Sequence, residues 1–94
     1  VKLRVPGIQD QLARQVAGAV EALRDLNLYK PPGVAETIDW ATALGRLGAT
    51  SLDEHMVANT LGAVVKYRED GLRVEQHGLA DVVGRAMAKA LVHG

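Results

Sequence analysis

The sequence predicts an all-α domain, a bundle of four to five helices. Three observations carry that prediction. Apolar residues recur at steps of three and four along four separate runs, the spacing of one buried helix face. Alanine and leucine, both strong helix formers, are abundant. The prolines, Pro6, Pro31 and Pro32, all fall outside the periodic runs, where they break no helix.

The first run is Ile8, Leu12, Val16, Ala19, Val20, Leu23 and Leu26. Asp10 lies in its first turn, where a carboxylate suits the positive end of the helix dipole. The helix is expected to end near Leu26 or Asn27, because Pro31 and Pro32 forbid continuation. The second run, Val34, Ile38, Ala41, Leu44 and Leu47, begins after Gly33 and stops at Gly48. Glu36 and Asp39 decorate its first turns. The third opens with "SLDE", in which Ser51 and Glu54 have the spacing of a capping box. Val57, Leu61, Val64 and Val65 are its expected buried face, and Asp70–Gly71 reads as the turn that ends it. The segment Leu72–His77 is ambiguous between a short strand and an extra helical turn. The last run is Leu79, Val82, Val83, Ala86, Met87, Ala90 and Leu91. Gly18, Gly62 and Gly84 lie inside predicted helices, at about 1 kcal/mol each relative to alanine. Close helix contact and marginal stability are the two available reasons.

The chain has 94 residues, one small domain, too small to enclose a deep active site and keep a core as well. Eleven basic and 11 acidic residues give zero net charge, without the basic excess expected of a nucleic-acid-binding domain. Cysteine is absent, which excludes disulfides and thiolate metal sites and fits a cytoplasmic location. No apolar run is long enough for a membrane span. "VKLRVPG" lacks the apolar segment of a signal peptide and begins without methionine, so the chain is expected to be a piece of a longer protein. With no phenylalanine, two tyrosines and one tryptophan, the core must be aliphatic. Trp40 is expected to anchor that core or an interdomain contact.

Little in the chain carries catalytic chemistry. His55, His77 and His93 show no metal-ligand spacing. Glu36 and Asp39 share a helix face, and a dipole and solubility role suits them better than acid–base work. Neither a phosphate-binding G-x-x-x-x-G-K-[ST] loop nor a nucleophile elbow is present. No catalytic residue and no metal ligand is therefore expected. The mixed-charge string "KYRED" reads as a solvated helix end or partner contact. "KPPGVAET" is more specific. Two prolines stiffen the approach, Gly33 permits a turn, and the following helix presents its first amides. Such an end suits an anion, including a nucleotide phosphate. It equally suits a tight interhelical loop with a capped helix.

The string "LRVPGI…LARQVAGAVEALRDLNLYKPPGVAETIDWATAL…LDEHMVANTLGAVVKYRED" resembles the C-terminal lid subdomain of MoxR-type AAA+ ATPases. The nearest subgroup is the one associated with maturation of carbon monoxide dehydrogenase and with von Willebrand factor A-domain partners. The resemblance covers roughly Val1 to Asp70, and "KPPGVAETIDWA" is its specific part. It implies that residues 1–94 form one helical lid, cut from a chain whose P-loop domain binds ATP and Mg²⁺. Such lids gate the nucleotide and touch neighbours in a ring, a hexamer, of a chaperone-like, cofactor-inserting ATPase. The lid has no activity alone. In this family the helix after the glycine carries the sensor-2 element, often an arginine. Here Glu36 and Thr37 stand in its place, so the arginine is not carried over. Three roles remain for the segment. The helix N-terminus, Gly33, Val34, Ala35, Glu36 and Thr37, faces the nucleotide through its amides, which is the role expected; Lys30 reaches in; or the segment docks. The alternative to a lid is a self-contained helical interaction or helix-turn-helix module, but its last helix has only Arg85 and Lys89 to offer DNA.

Overall fold

A computed structural model of the chain describes residues 10–92. Five α-helices follow one another: α1 (Asp10–Arg24), α2 (Val34–Arg46), α3 (Glu54–Thr60), α4 (Arg68–His77) and α5 (Leu79–Val92). A 3₁₀ turn, Leu61–Ala63, extends α3. No strand occurs among the described residues, so the expected all-α bundle is what the chain forms. Ile8 and His93 lie outside the described residues, as does the burial of Ala90 and Leu91.

α1 ends at Arg24, slightly before the expected stop. Asn27 then takes a left-handed conformation, φ 56°, which asparagine tolerates better than most residues. Leu12, Val16, Ala19, Val20 and Leu23 are buried as their spacing predicts. α2 closes with a Schellman motif around Gly48, φ 75°. The amide of Ala49 donates to the Leu44 carbonyl and that of Gly48 to Gly45. The buried stripe of α2 is Thr37, Trp40, Ala41 and Leu44. Val34, Ile38 and Leu47, expected inside, are exposed instead. Burying Trp40 turns the helix by about one position, and the smaller residues at the stripe's edge go to the surface.

The middle of the chain departs most from the sequence reading. The cap of α3 is Asp53, not Ser51, and its carboxylate accepts from the Met56 amide at 2.7 Å. Just before it, the Leu52 amide donates to Gln15 Oε1 of α1 at 2.8 Å, a buried bond that ties the entry of α3 to α1. The third helix also stops early, at Thr60, rather than running to Asp70. Gly62 and the β-branched Val64 and Val65 are poor helix formers, and the break still buries both valines. Asp70–Gly71, expected as a turn, lies inside α4, and the ambiguous Leu72–His77 is helix. Gly78, φ 109°, separates α4 from α5.

α5 packs along α1 more extensively than any other pair of elements. The two run antiparallel: Asp25 meets Arg85 and Glu21 meets Lys89. These pairs are exposed and contribute little. Gly18 sets the approach, because a Cβ there would stand 2.9 Å from the Lys89 Cβ and 3.0 Å from the Ala86 Cα. Close helix contact therefore accounts for Gly18. It does not account for Gly62 or Gly84, where an added Cβ meets nothing within 4 Å. Gly18→Val is expected to cost about 1–3 kcal/mol through overpacking. Gly84→Ala is expected to stabilise by up to about 1 kcal/mol through helix propensity. Thermal melts of the two variants, moving in opposite directions, check this assignment.

Candidate functional site

The connection from α1 to α2, Leu28 to Gly33, is braced from both sides. Leu28 and Pro32 are buried and anchor its ends, whereas Tyr29, Lys30 and Pro31 are exposed. From one side, Arg24 Nε donates to the Pro32 carbonyl at 3.0 Å. From the other, Asp70 of α4 accepts two backbone bonds, Tyr29 N to Oδ1 at 2.7 Å and Lys30 N to Oδ2 at 3.0 Å. Asp70 is 0 % exposed. A carboxylate holding two amides in a dry site makes stronger bonds than a neutral acceptor. Both of its oxygens serve the turn, which fixes the chain's direction before the prolines.

At the start of α2 the amides expected to face an anion are partly spoken for. Glu36 reaches back, and its Oε1 accepts from the Gly33 amide at 2.9 Å. Thr37 Oγ1 donates to the Gly33 carbonyl at 2.7 Å. Glu36 thus places its own negative charge where the helix dipole would attract a ligand's. Val34 and Ala35 are exposed, and Lys30 makes no ion pair among the described residues. The structure therefore brings Lys30 and Gly33–Thr37 together at one braced corner. The outer surface of α2 continues from that corner. Val34 is 71 % exposed and Ile38, one turn on, 40 %; Tyr29 in the preceding turn is also exposed.

Two residues that organise this corner escaped the sequence reading. Arg24 looks like an ordinary cation in a last helical turn, and Asp70 like one more charge in "KYRED". Only the tertiary fold, which brings α4 against a turn 40 residues earlier, gives either its role.

The remaining candidates stay apart from it. His55 contacts Asn59 at 3.0 Å, and His77 contacts Asp81 across Gly78 at 2.6 Å. Among the described residues, no three His, Cys, Asp or Glu side chains converge as metal ligands. No helix among them is long and apolar enough to cross a membrane. Trp40 is wholly buried, and its indole Nε1 donates to Thr60 Oγ1 at 2.7 Å. No protein-family profile, no curated protein and no solved structure matches this chain.

Proposed function

We propose that the chain is the helical lid of a MoxR-type AAA+ ATPase, docked on a P-loop domain elsewhere in the same protein. The observation that carries this reading is the braced corner and the apolar surface beside it. Val34 and Ile38 sit at i and i+4 on an outward helix face, and contiguous exposed apolar side chains suit a docking contact. The corner coincides with "KPPGVAETIDWA", the string on which the resemblance rests. Docking leads among the three roles of this segment, because Glu36 already occupies the Gly33 amide. Lys30 and the amides of Val34 and Ala35 are the groups left to meet a phosphate. ATP and Mg²⁺ are held mainly by the P-loop domain, and this domain has no turnover alone. A cytoplasmic hexameric ring and a von Willebrand factor A-domain partner complete the reading.

The test begins with the coding sequence upstream of Val1. A Walker A motif after a predicted strand, followed by an acidic Walker B strand, is the expected result. In that full-length protein, Val34→Asp with Ile38→Asp is expected to lower ATP turnover at least tenfold, while the melting temperature of the isolated domain stays put. A coding region without a P-loop would overturn the proposal in favour of a self-contained interaction module.

A further inference from the structure

A second surface feature lies at the break between α3 and α4. An open groove of about 370 Å³ is bounded on one side by Leu61, Gly62 and Val65 and on the other by Gly71, Leu72 and Glu75. Lys66, Tyr67 and Arg68 also line it. Tyr67 is 51 % and Leu72 47 % exposed, so both present apolar surface to water beside the groove. Its volume is that of a small binding cleft, room for two or three side chains.

Two features narrow down what fits. The first is charge. Lys66 and Arg68 flank the apolar floor, and neither makes an ion pair among the described residues. Glu75 is the single carboxylate in the lining. The groove therefore favours an occupant whose apolar side chains are flanked by acids. The second is glycine. Gly71 lies inside α4, where it weakens the helix relative to alanine. Its φ is not left-handed, and a Cβ built there meets nothing within 4 Å. Gly62, facing it, is the same. Packing within the chain therefore requires neither glycine, and both walls of the groove are bare of side chain at these positions, which leaves room for an occupant.

We propose that this groove binds a short acidic–apolar segment of a partner protein, with leucine-like side chains on the floor and carboxylates against Lys66 and Arg68. This inference is independent of the lid reading, since it uses none of the residues at the α1–α2 corner.

The test uses two synthetic 14-residue peptides with identical leucine positions, one filled with glutamate and one with lysine. Each is titrated into the ¹⁵N-labelled chain, with a 12-nucleotide single strand as a third probe. The glutamate peptide is expected to shift the amides of Leu61, Gly62, Val65, Arg68, Gly71 and Leu72, and to bind at least tenfold tighter than the lysine peptide. Lys66→Glu with Arg68→Glu is expected to reverse that preference. Gly71→Ala is expected to raise the melting temperature yet weaken the glutamate peptide at least tenfold, and that opposition separates a contact role from a structural one. The proposal is overturned if those amides do not move, if the two peptides bind equally, if the variants bind as the natural chain does, or if the oligonucleotide occupies the groove more tightly.

Discussion

Asp70→Ala is expected to destabilise the domain by about 3 kcal/mol or more, and to do so by releasing the turn before α2. The carboxylate is fully buried and accepts from two backbone amides, those of Tyr29 and Lys30. Hydrogen bonds to a charged group contribute about 1.5–3 kcal/mol each, and both are lost together. For a domain of this size, about 3 kcal/mol lowers the melting temperature by more than about 10 °C. Asp70→Asn should fall between the two. Its one carbonyl oxygen can serve one amide, but its NH₂ must face the other, donor against donor. Amide hydrogen exchange locates the damage. In the natural chain the Tyr29 and Lys30 amides are expected to be protected far beyond those of an exposed loop, and in Asp70→Ala to exchange at loop rates. Melts of Asp70→Ala within about 0.5 kcal/mol of the natural chain would mean that the turn is held by Pro32 and Arg24 alone. The consequence reaches the proposed docking face, because this turn sets where α2 begins. If the lid proposal holds, a loosened turn should also reduce ATP turnover in the full-length protein, through placement rather than through lost contact.

How far the sequence discloses this corner depends on the kind of interaction. Helices at the first, second and last runs, the stop before Pro31 and the end of α2 at Gly48 follow from local chemistry, and the fold contains them, whereas the third run breaks at Thr60. In α1 the burial of Leu12, Val16, Ala19, Val20 and Leu23 follows from spacing, whereas that of Ala13, Gln15, Gly18 and Ala22 does not. The errors cluster where a long-range bond overrides a local signal. Ser51 has the spacing of a capping box, yet Asp53 caps α3, and the Leu52 amide beside it binds Gln15, 37 positions away. Asp70–Gly71 reads as a turn, yet Asp70 is drawn inward by two amides and the helix runs through it. Val34 and Ile38 fit an apolar stripe, yet the bulk of Trp40 decides which side of α2 faces in. Of the candidate site, Gly33 to Thr37 and Lys30 were legible as a corner. Arg24 and Asp70 were not, because a single charged residue carries no mark of the backbone it will meet.

Trp40→Ala carries the other large expected effect, a loss of about 3–5 kcal/mol. Trp40 is the largest side chain in the core and is wholly buried among aliphatic residues. A cavity of that size, lined by leucines and valines, closes only in part. The substitution also removes the indole donor from Thr60 Oγ1, although that hydroxyl still donates to the Met56 carbonyl at 2.6 Å. Trp40→Phe separates the two contributions. It keeps an aromatic ring and loses the hydrogen bond, about 1 kcal/mol, with some volume besides, so about 2 kcal/mol is expected. As the chain's single tryptophan, Trp40 also reports on itself. The folded protein is expected to emit at the short wavelengths of an indole out of water, and to shift to the red in one step with the loss of helical circular dichroism. Emission already at the red limit in the folded state would show that Trp40 is not in the core, and the orientation assigned to α2 would fall with it. That orientation is the structural link between core and surface. With Trp40 inside, Ile38, two positions away, lies nearly opposite it on the helix and points out, while Val34 stands at the stripe's edge in the exposed first turn. The indole thus holds the outward apolar row in place from behind. Trp40→Phe should preserve that row, and any function it serves, at lowered stability. Trp40→Ala should loosen α2 and weaken both together.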